Sequence, residues 1–302
     1  MRLKENPLNA ILQNTGRYLR LSVVAASFLL PVCGFCAETP LFVTYTTQME
    51  ELGDLEITDK NITGKPDDLN RFGAAAVEFE YGAKPWWTTE FYLNGQVTQS
   101  ESALFTGIRW ENRFRVLHKN WLNAVLYFEY EDLSGADKTL LEVVGNDRVD
   151  DLGVSNSEAR LERERELEMK LILDRDIKGW TIAGNFIAEK IFAPRPYEFG
   201  YAIGIIRPLA RKNSRPCRMC LASMAAGLEV YGGLGTTQGF GFRDTSHYIG
   251  PALAWSPGHG TTFRISPNFG LNSASSGFLL RFGVTYEVEE FGRTVQNLFR
   301  RH

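Results

Sequence analysis

Beyond residue 37 the chain contains no apolar run of the roughly twenty residues that a membrane-spanning helix needs. It has only four histidines and four cysteines, so it offers few groups for histidine catalysis or for zinc binding. Its 33 basic and 36 acidic residues give a formal net charge of −3, and no clustered basic face is present. We therefore expect no nucleic-acid partner. With 302 residues and 44% hydrophobic residues, the chain suits one large or two small folded domains rather than disorder.

The N-terminus has the pattern of a secretory signal. Basic residues precede an apolar run, Leu21–Ala37, that ends in small residues. We predict cleavage after Ala37, which makes residues 1–37 a signal peptide and removes Cys33 and Cys36. The alternative is an uncleaved membrane anchor, for which the run is short. The predicted fold must therefore account for two facts: the chain is exported, and its remaining hydrophobic residues alternate with polar ones.

The alternation is clear in the stretch FTGIRWENRFRV, residues Phe105–Val116. Arg109, Glu111, Arg113 and Arg115 fall on one face of a strand, and apolar residues occupy most positions of the other. This period of two is typical of a β-strand between a polar and an apolar environment. Asn112 is the poor fit, since it falls on the apolar face.

About twelve such segments follow Gly53, separated by clusters of turn-forming residues. Their predicted limits are Asp54–Thr63, Phe72–Tyr81, Trp86–Thr98, Leu104–Val116, Leu122–Asp132, Arg160–Leu173, Trp180–Ile191, Tyr197–Arg207, Leu221–Gly233, Ser246–Trp255, Thr261–Leu271 and Phe278–Val288. The links between them alternate between short and long, as in a barrel whose N-terminus is periplasmic. We assign residues 38–53 to an N-terminal periplasmic segment, 54–288 to the barrel and 289–302 to a periplasmic tail.

One segment also fits a helix. Arg160–Leu173 is rich in strong helix formers, and Ser157 is a possible N-cap. As a strand it places Glu162, Glu164, Glu166 and Glu168 on one face. Arg163 and Arg165 would then lie on the apolar face, which is tolerable only near lipid headgroups. We favour the strand.

A secreted antiparallel sandwich would alternate as well, but its exposed face would carry mostly Thr, Ser and Lys. Here the polar face carries Glu and Arg in the middle of strands, and all six tryptophans fall near strand ends or on the apolar face. Amphipathic rings collect at membrane interfaces, and a closed barrel is the only sheet that satisfies every backbone group in lipid. The predicted fold is all-β, a closed antiparallel transmembrane barrel of about twelve strands.

Three stretches resemble Gram-negative outer-membrane β-barrel proteins: Ala74–Gln96, Phe105–Val116 and the closing Leu279–Val288. The chain is most similar to uncharacterised barrels grouped with putative transporters of the phenol-degradation type. The resemblance implies an outer-membrane location, contact with lipid and lipopolysaccharide, and insertion by the barrel assembly machinery. The chain departs from the pattern by continuing through Glu289–His302, so an aromatic insertion signal would be internal.

The charged face would then line a lumen. The predicted lumen-lining residues are Glu78, Glu80, Glu90, Arg109, Glu111, Arg113, Arg115, Glu129, Glu131, Glu164, Glu166, Glu168, Arg264 and Arg281. Because carboxylates outnumber cations, we predict a weakly cation-preferring channel for small solutes. The alternative is that these groups pair across the lumen and plug it, leaving a structural or partner-binding surface barrel. The oligomeric state stays open.

We predict no catalytic residues, metal or cofactor. Lipid hydrolysis would require a paired Ser and His, but Ser246 and His247 are adjacent and would point to opposite faces of a strand. Cys217 and Cys220 form a C-x-x-C motif in a predicted periplasmic turn. In an oxidising compartment a local disulfide is favoured over a metal site or a catalytic dithiol.

Overall fold

The computed structural model describes residues 39–66, 69–139, 144–145, 148–209 and 220–299. The predicted signal peptide and Cys217 lie outside these residues. The described strands are β1 (Leu55–Gly64), β2 (Phe72–Lys84), β3 (Trp87–Thr98), β4 (Ala103–Lys119), β5 (Leu122–Ser134), β6 (Arg163–Ile177), β7 (Trp180–Ile191), β8 (Glu198–Pro208), β9 (Met224–Thr236), β10 (Gly239–Phe240), β11 (His247–Gly258), β12 (Thr261–Gly270) and β13 (Phe278–Val288).

Twelve of these strands form a closed antiparallel barrel. Sequential neighbours pair from β1 to β9, β11 continues beside β9, and β13 pairs with β1 to complete the ring. The two-residue strand β10 is an extra strand that extends the edge of β9. Closure pairs every strand edge, which removes the unpaired backbone groups that lipid does not tolerate. The predicted fold class is confirmed.

The strand links differ between the two ends of the barrel. At one end, two-residue turns join β2 to β3, β4 to β5, β6 to β7 and β11 to β12. In the turns at Lys178–Gly179 and His259–Gly260 both residues have positive φ, the geometry that matches the twist of the flanking strands. We call this the tight-turn end, and both termini of the barrel, Leu55 and Val288, lie there. The longest link of the barrel, residues 135–162, lies at the opposite end.

The two faces of the wall differ as the alternation predicts. Outward side chains are mostly apolar and exposed on the barrel surface, among them Phe91, Leu93, Trp110, Leu126, Phe128, Ile182, Phe186, Ile203, Leu253, Phe263, Ile265 and Phe282. Inward side chains are buried and mostly polar or charged. Trp86, Trp87, Trp121 and Trp180 lie in or beside tight turns, and Trp255 lies near the tight-turn end of β11, as an interfacial girdle requires.

Asn112, the misfit of the apolar face, accepts a hydrogen bond at its Oδ1 from Trp87 Nε1 at 3.0 Å. The bond pairs the amide oxygen with an indole donor within the girdle. An outward amide near an interface can therefore be satisfied without facing the lumen.

The ambiguous segment is a strand. A single helical turn, Asn156–Ala159, precedes the segment, with Ser155 rather than Ser157 at the N-cap position. β6 then pairs with β5 over Arg163–Asp174 and with β7 over Glu166–Ile177. These two ladders outweigh the helical propensity of its residues. Arg163 and Arg165 do lie on the outward face, at the outer end of β6, where both pair with Asp132.

A second helix, Phe291–Phe299, follows β13 at the tight-turn end. Its start is fixed to the chain that enters β1, because Gly292 N donates to Gly53 O at 2.8 Å and Glu290 N donates to Asp54 Oδ1 at 2.7 Å. Among the described residues, no helix is both long enough and apolar enough to cross a membrane.

Candidate functional site

An unbroken row of glutamates crosses the inner wall of the barrel. Each member lies directly opposite the next on the neighbouring strand, from β13 through β1 to β8. In spatial order the row is Glu287, Glu56, Glu80, Glu90, Glu111, Glu129, Glu168, Glu189 and Glu198. We call it the glutamate ladder. Like charges directly opposite each other destabilise a sheet, so the row has no explanation in sheet stability alone.

The glutamate ladder climbs from one end of the barrel to the other. Glu56 is the second residue of β1, at the tight-turn end, whereas Glu198 is the first residue of β8, at the opposite end. The climb follows from strand tilt, because a row perpendicular to tilted strands winds up the barrel wall. The ladder therefore traces a continuous path of carboxylates between the two mouths.

Basic side chains beside the ladder neutralise part of its charge. Arg113 pairs with three ladder members, Glu80, Glu90 and Glu111, the last at 3.2 Å. Arg109 donates to both carboxylate oxygens of Glu129, at 3.1 and 3.3 Å. This centre of the ladder is a buried ionic network rather than a row of free carboxylates.

Two further cations complete the network. Lys170 Nζ lies 2.8 Å from Glu168 Oε1, and Lys60 pairs with Glu78 one row above the ladder. The hydroxyl of Tyr92 bridges the ladder by donating toward Glu90 Oε2 and Glu111 Oε2, at 2.6 and 2.8 Å.

The structure places all fourteen predicted lumen-lining side chains as follows. Twelve are buried on the inner wall: Glu78, Glu80, Glu90, Arg109, Glu111, Arg113, Glu129, Glu131, Glu166, Glu168, Arg264 and Arg281. Arg115 and Glu164 are half-buried nearer the two mouths. Their role in solute passage remains a prediction.

The N-terminal segment lies inside the barrel, although residues 38–53 were expected in the periplasm. Leu41 packs on Ile206 near the tight-turn end of β8. Tyr45 reaches Glu111 at the centre of the ladder, and Thr47 then binds Asp174, again near the tight-turn end. The segment therefore rises into the lumen and returns, and we call residues 39–51 the arch. Its alternating residues Leu41, Val43 and Met49 each pack on an apolar patch of the inner wall.

The arch is attached to the wall through wall side chains. Glu229 accepts hydrogen bonds from three successive backbone N–H groups, those of Phe42, Val43 and Thr44, at 3.2, 3.0 and 3.0 Å. Asn185 bonds both the N–H and the carbonyl of Tyr45, at 2.7 and 2.9 Å.

Towards the tight-turn end the attachment has the same character. Asp174 Oδ2 accepts from Thr47 N and from its hydroxyl, at 2.6 and 2.8 Å, and Arg113 donates to Gln48 O at 3.1 Å. Within the described residues, no backbone–backbone hydrogen bond joins residues 39–50 to a strand. The arch is therefore not part of the sheet.

Tyr45 connects the arch to the ladder. Its hydroxyl lies 3.3 Å from Glu111 Oε2, and the Lys170 ammonium lies 4.7 Å from the centre of its ring. Burial, reinforced by the nearby carboxylates of Glu111 and Glu90, raises the pKa of the Tyr45 hydroxyl well above its ordinary value. The hydroxyl therefore stays protonated and donates to the ladder.

The opposite mouth is covered by the described part of the link from β5 to β6, residues 135–139, 144–145 and 148–162, which we call the outer loop. Lys138 Nζ donates to Thr98 Oγ1 at 2.8 Å, and Asn156 accepts from Gln96 at 2.6 Å. Across the mouth, Gly145 N donates to Phe199 O at 3.0 Å. Cavities of about 90 and 40 Å³ lie between the arch and the wall in the described part of the chain.

Two other predicted features fall outside this site. Ser246 and His247 do not pair: Ser246 Oγ donates to Ala274 O, while the His247 ring contacts Tyr201 and Thr245. Cys220 is disulfide-bonded, and its predicted partner Cys217 lies outside the described residues.

Two arch-binding side chains, Asp174 and Asn185, are not evident from the sequence pattern. Asp174 fell just beyond the predicted end of its strand, and Asn185 has the inward parity of β7 but carries no charge. The alternation of Leu41, Val43, Tyr45 and Met49 was the available signal that the segment packs against a wall.

The comparisons agree with this architecture. No family model matches the chain, and no curated protein matches it in sequence. An outer-membrane channel from Pseudomonas putida F1 has a similar structure, with a TM-score of 0.51 and 11% identity over 80% of this chain and 97% of that chain. The KdgM porin matches with a TM-score of 0.47 and 10% identity over 76% of this chain and 98% of that chain.

A third similar structure is the translocator domain of the autotransporter NalP from Neisseria meningitidis, with a TM-score of 0.40 and 12% identity over 93% of this chain and 97% of that chain. At such identities a likeness shows the fold alone. The chain has the closed antiparallel fold of a Gram-negative outer-membrane barrel.

Proposed function

We propose that the chain is an outer-membrane channel for small solutes that prefers cations, with the arch as its closing element. The observation that carries the proposal is the glutamate ladder, which runs from mouth to mouth on the inner wall. A row of like charges costs stability in a sheet, whereas it supplies a favourable path for a positively charged solute.

The sign of the preference follows from the inner wall. Its carboxylates include the nine of the ladder together with Glu78, Glu131, Glu164, Glu166, Asp174 and Glu229. The inner cations include Lys60, Arg109, Arg113, Arg115, Lys170, Arg264 and Arg281. Because carboxylates remain in excess after pairing, the field along the lumen favours cations.

The arch suits a closing element because its removal leaves the barrel intact. Its bonds run to side chains, so its departure breaks no strand pairing. The wall it covers includes charged residues such as Lys60, Glu90 and Arg113, which line the larger cavity and would face water once the arch leaves.

A finer assignment follows from the resemblance to putative transporters of the phenol-degradation type, and we include small aromatic solutes among the candidates. Its support is the sequence pattern of Ala74–Gln96 and Leu279–Val288. Lipopolysaccharide is an expected neighbour, and Arg163 and Arg165 on the outer face of β6 have the charge to meet its anionic groups.

Reversal potentials in planar bilayers test the proposal. Under a tenfold KCl gradient we expect a potential displaced toward the cation limit of about 59 mV. The double substitution Glu90→Gln and Glu129→Gln should reduce this displacement, while Glu158→Gln on the exposed outer loop should leave it unchanged. A displacement toward the anion limit would contradict the proposed preference.

The second candidate is a closed surface barrel that binds a partner or supports the envelope. It is favoured by the outer loop, which covers one mouth, and by the arch, which lies inside the lumen. Uptake of small solutes into liposomes separates the two candidates. A channel lets the solutes enter the liposomes, whereas a permanently closed barrel lets no solute pass in either direction, even after the arch is displaced.

A further inference from the structure

We propose that Glu129, Glu131 and Glu168 form a calcium-binding site on the inner wall, between β5 and β6. One carboxylate oxygen from each residue lies within 4.8 Å of the other two, and all three side chains are buried. Two oxygens bound to one Ca²⁺ at about 2.4 Å are at most about 4.8 Å apart, so the three oxygens can reach a common ion.

Glu131 is the side chain that the protein leaves unsatisfied. It is 2% exposed, and its Oε2 atom has no hydrogen-bond partner among the described residues. Its neighbours are engaged, because Glu129 is bound by Arg109 and Glu168 by Lys170. A buried carboxylate oxygen without a donor is costly, and a bound cation would satisfy it.

The local charge also suits a cation. Glu129 lies directly opposite Glu168, and Glu131 lies directly opposite Glu166, so two like-charged pairs are stacked in adjacent rows. Arg109 and Lys170 neutralise two of these four charges. The two remaining negative charges equal the charge of one divalent ion.

Chemistry and size favour calcium among divalent ions. Carboxylate oxygens are the donors that hard cations prefer, and Ca²⁺ accepts six to eight of them in flexible geometry. Mg²⁺ requires oxygens at about 2.1 Å, so two of its ligands are at most about 4.2 Å apart. The three oxygens lie within 4.8 Å of one another. Mg²⁺ also demands near-ideal octahedral geometry and gives up its waters reluctantly, so Ca²⁺ suits carboxylates fixed to a wall better. Arg109 and Lys170, which pair with Glu129 and Glu168, line the smaller cavity.

Calorimetric titration of the chelator-treated, refolded mature chain with CaCl₂ tests the site independently of conduction. We expect one saturable site with a dissociation constant of about 10⁻⁴ M, in the range of extracellular calcium modules, and a weaker response to MgCl₂. Calcium should also raise the melting temperature. No saturable heat and no change in melting temperature up to 10 mM CaCl₂ in the wild-type chain would overturn the proposal.

Variants identify the ligands. Glu131→Gln should weaken calcium binding at least tenfold while melting no lower than wild type without calcium, because it removes a buried like charge. Glu168→Gln should also weaken binding, and it serves if the first variant does not refold. Glu198→Gln, a ladder member outside the site, should bind as wild type. The assignment would be refuted if Glu131→Gln bound calcium as tightly as wild type. It would also be refuted if Glu198→Gln lost as much calcium affinity as Glu131→Gln.

Discussion

Glu229 holds the arch more directly than any other single side chain, so Glu229→Gln should release it. The carboxylate is fully buried and accepts three successive backbone N–H groups. This arrangement resembles an anion bound in a backbone nest, with the anion supplied by the wall. Glutamine has nearly the same shape but only one acceptor oxygen, and its amide hydrogens would oppose the N–H groups of the arch.

The magnitude follows from the bonds that are lost. Hydrogen bonds to a charged group contribute about 1.5–3 kcal/mol each, and glutamine can retain about half of the three-bond set. We expect the closed arch to be destabilised by about 2–4 kcal/mol, which raises the ratio of open to closed arch about 30- to 1000-fold. Strand pairing of β9 with β8 and β11 is unaffected, because those bonds are backbone bonds.

The assay is the open probability of single channels in planar bilayers, with limited proteolysis of the arch as a second readout. Glu229→Gln should open more often and lose the arch to protease faster than wild type. Glu158→Gln, an exposed residue of the outer loop, is the matched control. If the variant folds and both readouts equal those of wild type, the wall carboxylate does not hold the arch and the reasoning is refuted.

Two further substitutions test packing and charge. In Gly204→Ala the new methyl group would overlap Leu41 Cδ1, so the closed position of the arch should lose about 1–3 kcal/mol of stability and the channel should open more often. In the control Gly184→Ala the methyl group meets nothing within 4 Å, and this variant should behave as wild type. In Arg113→Gln three carboxylates lose their shared cation, so the free energy of unfolding in urea should fall by about 3–5 kcal/mol, whereas the exposed Arg175→Gln should change it little. An unchanged urea midpoint for Arg113→Gln would show that the ionic network does not stabilise the barrel.

Much of the barrel could be predicted because its information is local. Alternation identifies each strand, and the predicted limits of Trp180–Ile191 and Phe278–Val288 coincide with the observed strands. The pairing register was also accessible: a two-residue turn such as Lys178–Gly179 fixes which residues of the flanking strands face each other. In that hairpin the rule places Glu168 opposite Glu189, as observed. In the β2–β3 and β4–β5 hairpins it fails, because a bulge shifts the register by one residue between the turn and the glutamates.

The arch could not be predicted in the same way, because its bonds join residues far apart in the chain. Glu229 and Val43 are separated by 186 residues, and the local sequence around either residue does not identify the other as its partner. The helix-rich composition of Arg160–Leu173 misleads for a related reason, since the two strands that pair with it are not visible in its own sequence. Local propensity is weak evidence where tertiary pairing supplies most of the bonds.

The most direct test of the central claim is the single-channel conductance of a refolded chain that begins at residue 51 and therefore lacks nearly all of the arch. Heat-modifiable migration in gels first establishes that the barrel has closed. We predict sustained, cation-preferring conductance from the truncated barrel and only brief openings from the mature chain. A folded truncated barrel that conducts no more than the mature chain would contradict the account.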